Sequence, residues 1–411
     1  KFSGGIGRYS QVVCQALTSI GVVSLHEYQY KMLTELFENF EKPKLVILSA
    51  PTASGKTEIF MTYLTAKLLA KGGVAVLIYP TKTLAREQLE RFVRFLYSIN
   101  KDPNGGRLVR VYLLDGDSPE SSEEVKGKSF RGGIFISVGG RRGEIKYNEQ
   151  GDVVIDWGDG NLERIEWLRE AKDIVDIEEP AIVITNHSML STHLNKGSAW
   201  VRSLARLLNT IVIDEAHIFI NDKERNDFLH FLLLRLLISA IIQQYGANST
   251  LEKGLENEIV NLIKERGLDI VLSSATLSDR EILPHDIATT QLGGIDLYNA
   301  SQGSSDHQPA KLLLRWLYEI FEKNFKILYV PYYETIGDSK RKKLIVAAVY
   351  FPEPRMAART PFNEALATTL IWTDAITQGL RRTYGVDYAL HALAFLDSKA
   401  TQMEVFKNIV G

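Results

Sequence analysis

A single cysteine, Cys14, stands among 411 residues. Its isolation excludes a disulfide framework, and any zinc or iron–sulfur site built from several cysteines within this stretch. Cys14 itself reads as a small apolar side chain in a helix, the ordinary setting of a free cysteine. No run reaches the roughly 18 apolar residues of a membrane span, and no secretory signal is visible. The nearest approach, residues 228–242, is interrupted by His230 and Arg235 and reads as a buried helix. Nor does charge of one sign prevail: the net charge is −2 and the pI is near 6.5. Any polyanionic partner must therefore be met by a local groove and not by the field of the whole chain. Lys1 opens the chain without a methionine, which suits a piece of a longer protein or a processed chain. The expectation is a soluble intracellular protein without membrane contact.

What is present is a chain long enough for two or three domains, with 45% hydrophobic residues to build their cores. Its chemistry centres on Ala50-Pro51-Thr52-Ala53-Ser54-Gly55-Lys56-Thr57. An apolar run, Leu45–Ser49, precedes this stretch and reads as a buried strand; Glu58–Leu69 follows with helical spacing. Strand, tight loop and helix form the setting of a phosphate-binding loop. Gly55 lets the backbone turn, and the N–H groups of Ser54, Gly55 and their neighbours, Thr52 and Ala53 included, would face an anion. Lys56 would reach the β- and γ-phosphates of ATP, and the Thr57 hydroxyl would bind Mg²⁺. Ala50 stands where the strict pattern has glycine.

Further strands alternate with helices along the chain. A helix over 8–20 is followed by one running to about Phe40, with Ser24 as N-cap and Glu27 at the capping-box position. Gln29 on that helix has two readings, an amide facing an adenine edge or a solvent-facing side chain. Val74–Tyr79 is a buried strand ending in Pro80-Thr81-Lys82, and the hydroxyl and ammonium of Thr81 and Lys82 suit a nucleic-acid phosphate at a strand's carboxyl end. Leu108–Leu114 is a strand ending in Asp115-Gly116-Asp117. Residues 131–160 read as a β-rich insertion, with strands at Ile134–Val138 and Asp152–Asp156 and turns at Gly139–Gly143 and Asn148–Gly151. Arg141 and Arg142 read better as a solvated turn than as nucleic-acid contacts.

Ala181–Ile184 is a strand ending in Thr185-Asn186. Thr210–Ile213 runs straight into Asp214-Glu215-Ala216-His217. There Asp214 would hold Mg²⁺ and Glu215 would orient and deprotonate the attacking water. His217 would contact the γ-phosphate side. Leu268–Ser273 is a strand ending in Ser274-Ala275-Thr276, where Ser274 and Thr276 would couple nucleotide state to the nucleic-acid side. Beyond it, Lys311–Lys323 reads as a helix, Phe325–Pro331 and Lys342–Tyr350 as strands, and Phe362–Tyr384 as a helix. A strand at Tyr388–Leu396 leads to Asp397-Ser398-Lys399.

This ordered set (Gln29, Ala50–Thr57, Pro80–Gln88, Thr185-Asn186, Asp214–His217, Ser274–Thr276) resembles superfamily 2 helicases, with the acid motif in its DEAH form. Loops of that superfamily are often relaxed at the position of Ala50. The resemblance covers roughly residues 20–280. It implies an α/β fold: a RecA-like P-loop NTPase domain with a parallel sheet over 1–285, carrying the 131–160 insertion. A connecting region would span 286–361, and 362–411 would open a second RecA-like domain, whose first motif Asp397-Ser398-Lys399 resembles. The ATP-completing arginines of that second domain would lie beyond residue 411, so this chain alone should hydrolyse ATP poorly.

Tyr79–Gln88 together with Asp115-Gly116-Asp117-Ser118-Pro119 looks like DNA helicases of the large-helicase-related and DNA-repair type, which move 3′ to 5′ on one strand. The helicase–nuclease of type I CRISPR systems is similar in its phosphate loop and acid motif. The resulting expectation is an ATP- and Mg²⁺-dependent helicase or translocase on single-stranded or partly duplex nucleic acid, DNA favoured, cytoplasmic or nucleoid-associated. The helicase part of a CRISPR type I helicase–nuclease, an RNA helicase and a non-hydrolysing nucleic-acid-binding scaffold are the alternatives.

Overall fold

The computed structural model describes residues 7–50, 54–101, 107–138, 140–220, 222–246, 254–275 and 312–330, all within a compact unit, Lys1–Lys340. The second unit, Arg341–Gly411, lies outside the described residues, and with it the strand at 342–350, the helix at 362–384 and Asp397-Ser398-Lys399.

The interior strands are the apolar runs of the sequence. β1 (Lys44–Ser49), β2 (Val74–Tyr79) and β3 (Arg110–Leu114) come first; β8 (Leu168–Arg169), β9 (Ala181–Asn186), β10 (Leu208–Ile213), β11 (Asp269–Ser274) and β12 (Lys326–Val330) follow the insertion. They form one sheet in the order β12-β1-β11-β10-β2-β9-β3-β8, and every pairing is parallel. Such a sheet is covered on both faces, which is why its strands lack polar alternation; all six residues of β2 are buried. One face carries α1 (Gly7–Ser19), α2 (Glu27–Glu38), α3 (Lys56–Lys71) and α4 (Lys82–Lys101). The other carries α5 (His187–Lys196), α6 (Ala199–Leu207), the single-turn α7 (His217–Ile220), α8 (Lys223–Tyr245), α9 (Leu255–Arg266) and α10 (Leu312–Asn324). The α/β fold with a parallel sheet is thus the one expected. By length and composition alone α8 is apolar enough to cross a membrane. Its face Leu229, Leu233, Leu236, Leu237, Ala240 and Ile241 is nevertheless fully buried in the second core.

The insertion is a separate antiparallel sheet: β4 (Ser129–Val138), β5 (Arg141–Tyr147), β6 (Val153–Asp156) and β7 (Leu162–Arg164), in that order. Its inner face, Ile134, Ile136, Ile145 and Ile155, joins the core beneath α4. Arg141–Gly143 opens β5 and does not form a turn, because Gly143 pairs with Ile136 across the hairpin. A Cβ on Gly143 would lie 2.4 Å from Ile155 Cγ2 and 2.9 Å from the Trp157 ring, so the close packing of β5 on β6 demands glycine there.

Three other expectations are corrected. The cap of α2 is His26, not Ser24: the His26 N–H donates to Gln29 Oε1 at 2.8 Å, so Gln29 and not Glu27 closes the box. Cys14 lies on the exposed side of α1, between the buried pairs Val12, Val13 and Ala16, Leu17. Within the stretch read as a connecting region, α10 and β12 belong to the first unit, and β12 pairs with β1 from Lys44↔Lys326 to Leu48↔Val330.

Candidate functional site

Because the strands run parallel, β1, β11 and β10 deliver their carboxyl ends side by side. Ser49 and Ser274 stand opposite one another, and the Ala50 N–H donates to Ser274 O at 3.0 Å. Thr52, Ala53 and Thr276 lie outside the described residues. Gly55 has φ of +90°, the left-handed region, and leads into α3. A Cβ there would meet Gln29 Nε2 at 2.1 Å, so backbone conformation and space both require glycine. Two side chains of α2 hold the loop from behind. The Tyr28 hydroxyl donates to Ser54 O at 2.6 Å and Gln29 Nε2 donates to Gly55 O at 2.9 Å. Gln29 is 3% exposed, which removes the solvent-facing reading. In this structure its amide is engaged with the chain's own backbone at both ends.

Lys56 and Thr57 are buried at the start of α3, where the first N–H groups have no acceptor within the helix. Lys56 Nζ donates to Ala50 O at 2.9 Å. Across the sheet, Asp214 is 5% exposed. Burial, then the neighbouring Glu215, pushes its carboxyl up to about 6, while Lys56 draws it down. Glu215 has φ of +51°, the single positive-φ residue other than glycine among the described residues. A strained backbone of this kind is held by its surroundings. Here the Glu215 N–H donates to Asp214 Oδ1 at 3.0 Å and the Ala216 N–H to Ser273 O at 2.9 Å. His217 Nδ1 lies 2.9 Å from Ser274 Oγ and 3.2 Å from Glu215 Oε2. Lys56, Asp214, Glu215, His217 and Ser274 are therefore gathered on adjacent strand ends. Asp214 and Thr57 are the oxygen donors a Mg²⁺ would use, and a buried carboxyl held up to about 6 is one that a cation would relieve.

The ends of β2, β9 and β3 frame a groove of about 550 Å³, lined among others by Thr81, Lys82, Lys172, Asn186, His193 and Lys196. Thr81 is exposed, and its Oγ1 accepts the Leu84 N–H at 3.2 Å, capping α4. Lys82 pairs with Asp117 at 2.6 Å. Asn186 lines the groove while its Oδ1 accepts the Met189 N–H at 2.8 Å as N-cap of α5. Thr185 stands apart from the groove lining: its side chain is fully buried and its hydroxyl donates to Leu114 O at 2.6 Å, so it braces β9 on β3. Sequence reading missed Ser188, Thr192 and Lys196, which also line the groove. Their signal was a spacing of four, which sets them on one face of α5. Burial, then Lys196 and Lys172, hold the His193 ring below its ordinary value.

The family model for the DEAD/DEAH box helicase matches residues 27–139. The ATP-dependent DNA helicase Hel308 of Pyrococcus abyssi (strain GE5 / Orsay) is 26% identical over 243 residues, 59% of this chain and 24% of that protein. The chain thus spans about a quarter of the curated relative it matches. Among solved structures, the Mycobacterium smegmatis helicase Lhr bound to ssDNA and AMP-PNP aligns with 99% of this chain and 41% of its own, at 15% identity and a TM-score of 0.45. The DUF1998 helicase MrfA aligns with 97% of this chain and 40% of its own, at 15% identity and a TM-score of 0.44. The DEAD/DEAH box helicase model thus covers the phosphate loop and ends before Asp214-Glu215-Ala216-His217, which the fold brings to a strand end two strands away, and both stretches are similar to those of superfamily 2 helicases.

Proposed function

We propose that the chain is the ATP-binding part of a helicase or translocase that moves on a single nucleic-acid strand, with DNA as its preferred substrate. The observation that carries this reading is the meeting of Lys56, Asp214 and Glu215 on neighbouring strand ends, beside a groove lined by three lysines. The loop N–H groups and Lys56 receive the β- and γ-phosphates of ATP. Thr57 and Asp214 hold Mg²⁺, which when bound offsets phosphate charge. Glu215 accepts the proton of the water that attacks the γ-phosphorus, while the bond to the β-phosphate oxygen breaks and ADP leaves. His217, between Glu215 and Ser274, passes the state of that site to the strand beside it. Full turnover needs arginines from a second RecA-like domain. Thr81, Lys82, Asn186, Lys172 and Lys196 take the phosphates of the strand, contacts that position without reading sequence. The preference for DNA is supported by the DNA helicase relative, of which the chain matches a quarter.

The test is ATP hydrolysis by the full-length protein with single-stranded DNA or RNA of equal length. Strong stimulation by DNA supports the proposal; stimulation by RNA alone reassigns the substrate, and none by either removes the translocase reading. Glu215→Gln in the same protein should bind ATP yet turn it over roughly a hundredfold or more slowly, the lower end of general-base contributions. Turnover at the parent rate would show that Glu215 is not the base.

A further inference from the structure

Arg86 lies one turn into α4, behind Thr81 and Lys82. Its Nε donates to Asp115 Oδ2 at 2.9 Å and its Nη2 to Asp115 Oδ1 at 3.0 Å; the same Nη2 reaches Glu170 Oε1 at 2.6 Å. Asp115 is fully buried and Glu170 is 4% exposed. Two carboxylates thus share one guanidinium in the interior. Burial raises the Glu170 carboxyl, and Arg86 works against that rise.

From this centre, contacts lead in two directions. Toward the groove, Asp115 Oδ1 accepts the Asp117 N–H at 2.8 Å, and the Asp117 carboxylate pairs with Lys82 at 2.6 Å. Toward the insertion, the Tyr147 hydroxyl of β5 donates to Glu170 Oε2 at 3.3 Å, and the Tyr147 ring stacks on Phe130 of β4 at 4.9 Å. A continuous run of contacts, one of them through the Asp117 backbone N–H, therefore joins the inner face of the insertion to a lysine of the groove. The insertion has a second polar anchor on the far half of α4: Glu163 accepts from the Tyr97 hydroxyl at 3.0 Å and pairs with Lys101 at 2.6 Å. That anchor leads to no groove residue among the described contacts. Buried ionic networks are weak stability devices, because desolvation offsets much of their attraction, but a satisfied one fixes geometry.

We propose that Arg86, Asp115 and Glu170 are positioning residues through which the insertion sheet sets the placement of Lys82 in the groove. The inference rests on the reading of that groove as the nucleic-acid interface. Its consequence is that the insertion contributes to strand affinity without touching the strand.

The experiment measures binding of a fluorescein-labelled single-stranded oligothymidylate to the full-length protein by anisotropy, alongside binding of a fluorescent ATP analogue. Glu170→Gln keeps the shape and removes the charge. It should weaken oligonucleotide binding roughly three- to thirtyfold, the range of network couplings, and leave ATP-analogue affinity unchanged. Tyr147→Phe should act in the same direction and more weakly, and it keeps the test available if Glu170→Gln folds poorly. Glu163→Gln at the other anchor should leave both affinities at the parent values. Lys82→Ala separates the two layers of the argument. If it weakens binding while Glu170→Gln and Tyr147→Phe do not, the relay is overturned and the groove stands. If Lys82→Ala has no effect, the groove reading falls and the relay with it. An equal loss in Glu163→Gln and Glu170→Gln also overturns the relay, since any loosening of the insertion would then suffice.

Discussion

The two ends of the same sheet carry two clusters of buried charge, and the same elements, β1, β11 and α3, supply residues to both. At the amino end Lys44 and Asp269 open β1 and β11, and α3 adds Tyr63 and Lys67; all four are buried. Lys67 Nζ donates to Asp269 Oδ2 at 2.6 Å, to Gly267 O at 2.7 Å and to Asn209 O at 3.0 Å. Lys44 Nζ donates to the Tyr63 hydroxyl at 2.7 Å, which donates to Asp269 Oδ2 at 2.6 Å. This cluster is closed: each donor meets an acceptor of the chain itself. At the carboxyl end, Asp214 and Glu215 stand together and the Asp214 carboxyl is pushed up to about 6. The backbone of Glu215 is held at positive φ, and Lys56 is turned onto a loop carbonyl. Buried charge that the chain completes is framework; the paired carboxylates at the carboxyl end, beside a strained backbone, are the candidate for a site.

The hardest blow to the closed cluster is Asp269→Asn, which leaves two buried lysines without their carboxylate. A loss of about 3–5 kcal/mol in urea unfolding is expected, the usual result of removing one partner of a buried pair. ATP-analogue affinity of the remaining folded protein should not change. A loss under about 1 kcal/mol would deny Asp269 its role as countercharge. At the other end the pattern reverses. Lys56→Ala should leave the unfolding midpoint near the parent value and weaken Mg-ATP binding roughly tenfold to more than a hundredfold, as for a lost hydrogen bond to a charged group. Unchanged affinity in that variant would remove Lys56 from the phosphate site.

The two clusters also differ in how far sequence betrays them. The carboxyl-end residues are local to recognisable strands: Leu45–Ser49 before the loop and Thr210–Ile213 before Asp214 are continuous apolar runs that form buried parallel strands. The amino-end cluster joins Lys44 to Asp269 across 225 positions, and nothing near either residue announces the other. The same distance hid β12, which reads as a strand from its own residues but whose place beside β1 is a long-range fact. Thr185 shows a different failure. A hydroxyl at a strand's end looks like a ligand contact, yet this one is buried and turns back to donate to the carbonyl of Leu114 on the neighbouring strand. Helix α5 was missed because few of its residues are apolar, only Met189 and Leu190 being buried. The short α6 was missed although Trp200, Val201, Leu204 and Ala205 make one apolar face.

The gentlest probe is Lys44→Met, which removes one of the two cations and leaves the Tyr63–Asp269 and Lys67–Asp269 contacts in place. Burial pushes Lys44 down to about 8, with Asp269 opposing and Lys67 adding to the fall. The unfolded chain therefore keeps a proton that the folded chain sheds between pH 8 and the ordinary lysine range near 10.5. The unfolded state binds more protons through that window, so this group makes stability rise with pH there, by at most about 1.4 kcal/mol per pH unit. Below pH 8 both states hold the proton and the contribution is flat. Lys44→Met should lie within about 1 kcal/mol of the parent at pH 7, since a buried charge is exchanged for a chain of similar length. The parent should then gain on the variant as urea unfolding is repeated at pH 8, 9 and 9.5, because only the parent carries the titrating group. Lysines and tyrosines away from this cluster titrate alike in both proteins and cancel in the difference, whereas Lys67 and Tyr63, which touch or face Lys44, keep their own contribution. A difference that stays constant from pH 7 to 9.5 would place the Lys44 proton outside that window.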